Sequence, residues 1–69
     1  MKKQLTTSLQ EAQQVQEIIR SCSEFKAALK RVASNAWEYE EDEDEDNITD
    51  NLTCSLSDAG IKNYDINEI

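Results

Sequence analysis

A mainly α fold is predicted for this chain, and three observations predict it. Val15, Ile18, Cys22, Phe25, Leu29, Val32 and Ala36 recur at alternating spacings of three and four, as one apolar helical stripe requires. Proline is absent and the single glycine is Gly60, so neither of the strongest helix breakers lies in the first half. Eight carboxylates then occupy the nine positions from Glu38 to Asp46, where like-charge pairs and the helix macrodipole both oppose further helix. The expected architecture is one long N-terminal amphipathic helix, or a two-helix hairpin, followed by a flexible acidic segment. A short C-terminal hairpin or helix packs on it.

Residues 1–7 are expected as a flexible N-terminus. The amphipathic region follows at 8–37 and opens with Ser8-Leu9-Gln10-Glu11, the pattern of a capping box, in which Ser and Glu satisfy each other's backbone amides. Ser21-Cys22-Ser23-Glu24 is a second cap signal that would divide the region into two helices. The unbroken phase of the stripe across Cys22 favours one rod. Such a rod cannot bury its own stripe, so Val15, Ile18, Cys22, Phe25, Leu29, Val32 and Ala36 are the candidate surface for helix packing or for a helical homodimer.

The acidic low-complexity segment is placed at 38–51 and a small C-terminal element at 52–69. Ile48, Leu52 and Leu56 share a four-residue spacing that suits one helical face, while Leu52, Cys54 and Leu56 alternate as a strand would. Gly60, after Ser57-Asp58-Ala59, marks a turn or a helix C-terminus. Both readings of 52–59 stand on the sequence.

At 69 residues the chain has room for one domain with a small core. Its formal charge is -8, unevenly divided. Residues 1–37 carry six basic side chains against three acidic ones, whereas residues 38–69 carry twelve carboxylates and only Lys62. The acidic half would be repelled by nucleic acid and attracted to a basic protein surface. Lys2 and Lys3 are followed by Gln4, Thr6, Thr7 and Ser8, which is no apolar signal region, and no run suits a membrane span. A cytoplasmic protein with two reduced thiols, Cys22 and Cys54, is expected.

Histidine is absent, and with it the commonest general base and metal ligand. The cysteines form no Cys-x-x-Cys pair, and the alternating oxygens of Asp42, Asp44, Asp46, Asn47 and Asp50 lack the central glycine and terminal glutamate of a calcium loop. No catalytic residue, metal site or cofactor is expected. The candidate partner-binding residues are Trp37, Glu38, Tyr39, Glu40, Glu41, Asp42, Glu43, Asp44, Glu45, Asp46 and Asp50. Core packing is the first reading for Phe25 and Trp37, but Trp37 and Tyr39 beside the carboxylates also suit stacking on a partner's Lys or Arg.

Small size, a compact helical part and intense acidity resemble, in composition alone, nucleic-acid-mimicking inhibitors of phages and mobile elements, and some antitoxins and assembly regulators. The expected function is that of a non-enzymatic acidic regulator or inhibitor. It would bind a basic surface of a nucleic-acid-processing protein, as a mimic of nucleic acid. The alternative is a helical adaptor or assembly protein that uses its apolar stripe, with the acidic run as a solvated spacer.

Overall fold

The computed structural model describes residues 1–41 and 47–69, and it overturns the mainly α expectation. Strand β1 (Lys2–Thr7) is followed by helices α1 (Ala12–Ser21) and α2 (Ser23–Ala28), strands β2 (Lys30–Ala33) and β3 (Ala36–Glu40), helix α3 (Asn47–Asp58) and strand β4 (Tyr64–Glu68). The four strands form one antiparallel sheet in the order β2-β3-β1-β4. Each helical connection therefore spans a strand inserted between the two that it joins, giving two interleaved split β-α-β units.

The N-terminus expected to be flexible is the central strand β1, paired with β3 on one side and β4 on the other. Leu5 and Thr7 on one of its faces are buried, and threonine suits a half-buried pleat. The segment that follows keeps half of the predicted capping box without being helical, because the Ser8 amide bonds the Asn63 carbonyl instead of the Glu11 side chain. Ser8 Oγ donates to Glu11 Oε1 at 2.9 Å and accepts from the Glu11 amide at 3.3 Å, but this forms a turn leading into α1 at Ala12.

The single rod does not form. Cys22 is extended, with φ -112 and ψ 118, and serves as the N-cap of α2. Ser21 Oγ donates to the Glu17 carbonyl at 2.8 Å, the back-bonding by which a serine weakens a helical turn. Leu29 is extended again, at φ -94 and ψ 134, and the chain enters β2. The apparent stripe therefore crosses two helices and two strands. Val15, Phe25, Leu29 and Ala36 are buried, Ile18 and Cys22 are half-buried, and Val32 is 44% exposed.

Val15, Phe25 and Leu29 join one core cluster with residues of α3 and the sheet. Leu5, Trp37 and Tyr39 line the helix-covered face of the sheet, against Val15, Ile19, Phe25, Leu52 and Leu56. The homodimer expectation rested on an uncovered stripe, and most of that stripe is covered within one chain. By strand alternation the opposite face of the sheet carries Gln4, Thr6, Lys30, Glu38, Asp65 and Asn67.

At the C-terminal end, residues 47–58 take the helical reading, with Leu52 and Leu56 fully buried. Gly60, at φ 79, ends it. The Gly60 amide bonds the Ser57 carbonyl at 3.0 Å and the Ile61 amide bonds the Leu56 carbonyl at 2.9 Å, which is a Schellman motif with its apolar contact supplied by Leu56 and Ile61. A Cβ at position 60 would meet nothing within 4 Å, so only backbone strain opposes it. Gly60→Ala should cost about 1–2 kcal/mol in chemical denaturation and leave the fold unchanged.

Candidate functional site

The acidic run begins inside the sheet. Ala36-Trp37-Glu38-Tyr39-Glu40 alternates aromatic and acidic residues, the period of a half-buried strand. Trp37 and Tyr39 turn inward at 1% and 2% exposure, so the expectation that they are exposed partner anchors is corrected. Trp37 Nε1 donates to Gln16 Oε1 at 2.8 Å. The cation that reaches the Trp37 ring is the chain's own Arg31, 5.6 Å from its centroid.

Arg31 also fixes the β2–β3 hairpin. Its Nε donates to the Ala33 carbonyl at 3.3 Å and its Nη2 to the Ser34 carbonyl at 2.7 Å, beside an irregularity in the pairing between Arg31 and Ala33. That arrangement ties the two-residue Ser34-Asn35 link without any non-glycine residue at positive φ.

Glu38 and Glu40 point away from the aromatic side chains. Glu38 is half-buried and pairs with Lys2 at 3.0 Å, while Glu40 is exposed. Glu41 differs from both, because it is buried at 5% exposure. Its amide donates to the Met1 carbonyl and its carbonyl accepts from the Met1 nitrogen, each at 2.8 Å, continuing the β1–β3 ladder past the end of the strand.

The Glu41 side chain ties this end of β3 to the start of α3. Its Oε2 accepts from Thr49 Oγ1 and lies 3.6 Å from Lys3 Nζ. Thr49 Oγ1 is also 2.8 Å from Tyr39 Oη and 3.4 Å from Lys3 Nζ. A hydroxyl has one proton and two lone pairs. With its proton given to the carboxylate, Thr49 accepts from both Tyr39 and Lys3. Glu41 Oε1 is buried with no hydrogen-bond partner among the described residues.

Thr49→Val removes the hydroxyl that bonds all three side chains and leaves the direct Lys3–Glu41 pair in place. The loss should be about 1–3 kcal/mol of stability, the cost of removing a hydrogen bond to the buried Glu41 carboxylate, measured by urea unfolding. Asp50→Asn, one residue on and exposed, should stay within about 0.5 kcal/mol of the native chain.

Asp42, Glu43, Asp44, Glu45 and Asp46 lie outside the described residues. They form the connection between Glu41 and Asn47, the first residue of α3. Five carboxylates are thus joined on one side to a buried, hydrogen-bonded residue and on the other to a helix that buries Leu52 and Leu56. The run as predicted is therefore two different things, a strand with a buried end and a short acidic connection.

No family model, curated protein or solved structure matches the chain. The split β-α-β topology hosts many unrelated activities, so function must be argued from the side chains. Among the described residues, no group of three or more Cys, Asp or Glu is placed to hold a metal ion, and no helix is long and apolar enough to cross a membrane. A cleft of 390 Å³ is lined by Lys2, Lys30 and Glu38 among others, and another of 450 Å³ by Thr7, Lys62 and Asp65 among others. Cys22 is half-buried and Cys54 exposed, and the two are not bridged.

Proposed function

We propose that this protein is a non-enzymatic acidic regulator that binds a basic surface of a nucleic-acid-processing protein, with its carboxylates occupying positions that phosphates would otherwise take. The observation that carries the reading is the attachment of residues 42–46 between buried Glu41 and α3. Carboxylates that imitate phosphates are most effective when a folded body limits where they can go, because less ordering entropy is lost on binding. Both ends of this segment are attached to such a body.

Exposed Glu40 and Asp50 add charge on either side of the segment. Basic surfaces built for phosphate offer Lys and Arg donors that a carboxylate can also engage, Arg often in bidentate fashion. The adaptor alternative is not carried forward, since Val15, Phe25, Leu29 and Ala36 of its stripe lie in the core.

The test is capture of host proteins on the immobilised chain at low ionic strength, with elution by rising salt and, separately, by DNA or RNA. Basic nucleic-acid-binding proteins should be retained, released by salt and displaced by nucleic acid. Recovery of no basic protein at low salt would contradict the reading.

A further inference from the structure

We propose that the edge of β4, unpaired among the described residues, receives an extended Lys/Arg-rich segment of the partner as a fifth strand. This deepens the basic-partner reading and rests on it. The Ser8 amide bonds the Asn63 carbonyl at 3.1 Å and the Ile69 amide bonds the Lys2 carbonyl at 2.9 Å, bracketing the β1–β4 ladder. Antiparallel bonding alternates residue by residue, so Asp65 and Asn67 address β1 with their backbone groups. Tyr64, Ile66 and Glu68 present theirs outward, and β4 is the last strand of the sheet.

The two edges of the sheet are not equivalent. At the β2 edge the ladder is short and irregular, and the Arg31 guanidinium occupies the Ala33 and Ser34 carbonyls. Bulges and charged side chains of this kind blunt an edge against addition of a strand. The β4 edge pairs with β1 over five consecutive residues without a register shift. Its charges are Asp65 and Glu68, both exposed.

Those carboxylates select the occupant. A second copy pairing through β4 would bring four carboxylates onto one ladder and join two chains of charge -8, so they oppose self-addition. The same groups attract a basic strand, one on each face of the sheet by alternation. Such a strand gains main-chain bonds from Tyr64, Ile66 and Glu68, and its charge is matched by Asp65 and Glu68. A strand added at this edge is three inter-strand spacings from β3, about 14 Å, so Asp65 and Glu68 are the carboxylates that act on it directly.

The experiment titrates the ¹⁵N-labelled full chain with an extended peptide of alternating Arg and Thr, and with the same peptide N-methylated at alternate residues. The outward amides of Tyr64, Ile66 and Glu68 should exchange at least about tenfold more slowly with the unmodified peptide. N-methylation on the docking side should abolish that protection while leaving the peptide's charge intact. Asp65→Asn combined with Glu68→Gln, both at exposed positions, should weaken binding by about fivefold or more at low salt. Salt-dependent binding with unchanged exchange at those three amides would overturn the edge assignment and leave the basic-partner reading standing. Absence of any binding at low salt would overturn both.

Discussion

Trp37→Ala should cost about 3–5 kcal/mol, the range for deleting a buried aromatic side chain. A domain of this size has a total stability of roughly 3–10 kcal/mol, so the variant should be largely or wholly unfolded near body temperature. The size of the effect follows from position. Trp37 is 1% exposed, sits opposite Leu5 in the β1–β3 ladder and joins the cluster that contains Val15, Phe25 and Leu52. Trp37→Phe retains most of the apolar volume and removes the bond to Gln16; it should cost about 1 kcal/mol beyond the small volume change. Urea unfolding of both variants checks the account. A loss below about 1 kcal/mol for Trp37→Ala would mean that Trp37 is not in the core and could serve a partner after all.

Neutralising the connection has the opposite profile. Asp42→Asn, Glu43→Gln, Asp44→Asn and Glu45→Gln together should weaken binding to a basic partner by at least about thirtyfold at low salt, about 0.5 kcal/mol for each charge. Stability should change by less than about 1 kcal/mol, because crowded like charges repel one another and the substitutions keep side-chain size. The difference in affinity should shrink as salt screens the native chain. A variant that binds as tightly as the native chain at every ionic strength would remove the carboxylates from the interface.

The residues of the core were more legible than the elements that carry them. Val15, Phe25, Leu29 and Leu52 stand out as apolar positions, and all are buried. The helical phase that seemed to link them was partly accidental: an alternation of three and four is also met by two short helices followed by strands. Val32 exposes the coincidence, since it fits the stripe and points to solvent in β2. The Ile48, Leu52 and Leu56 spacing and the Gly60 stop were local signals, and α3 uses both.

The strands were less legible because their stability comes from pairing across the sequence. Lys2–Thr7 has one large apolar residue, Leu5, and becomes a strand only by lying between β3 and β4. The alternation from Ala36 to Glu40 was a readable strand signal, obscured by reading Glu38 and Glu40 with the carboxylates that follow. Nothing in the sequence distinguishes Glu41 from its neighbours. Its burial depends on Met1, Lys3 and Thr49, which only the assembled sheet and helix bring together.

The central claim is that carboxylates attached to a folded body at Glu41 and Asn47 bind a basic surface. The most direct measurement is the affinity of the intact chain for a basic nucleic-acid-binding protein recovered by capture, determined by calorimetry across a salt series with and without competing DNA or RNA. The account predicts affinity that falls steadily as salt rises and mutual exclusion between this chain and nucleic acid. Affinity independent of salt, or simultaneous binding of both ligands at full strength, would contradict it.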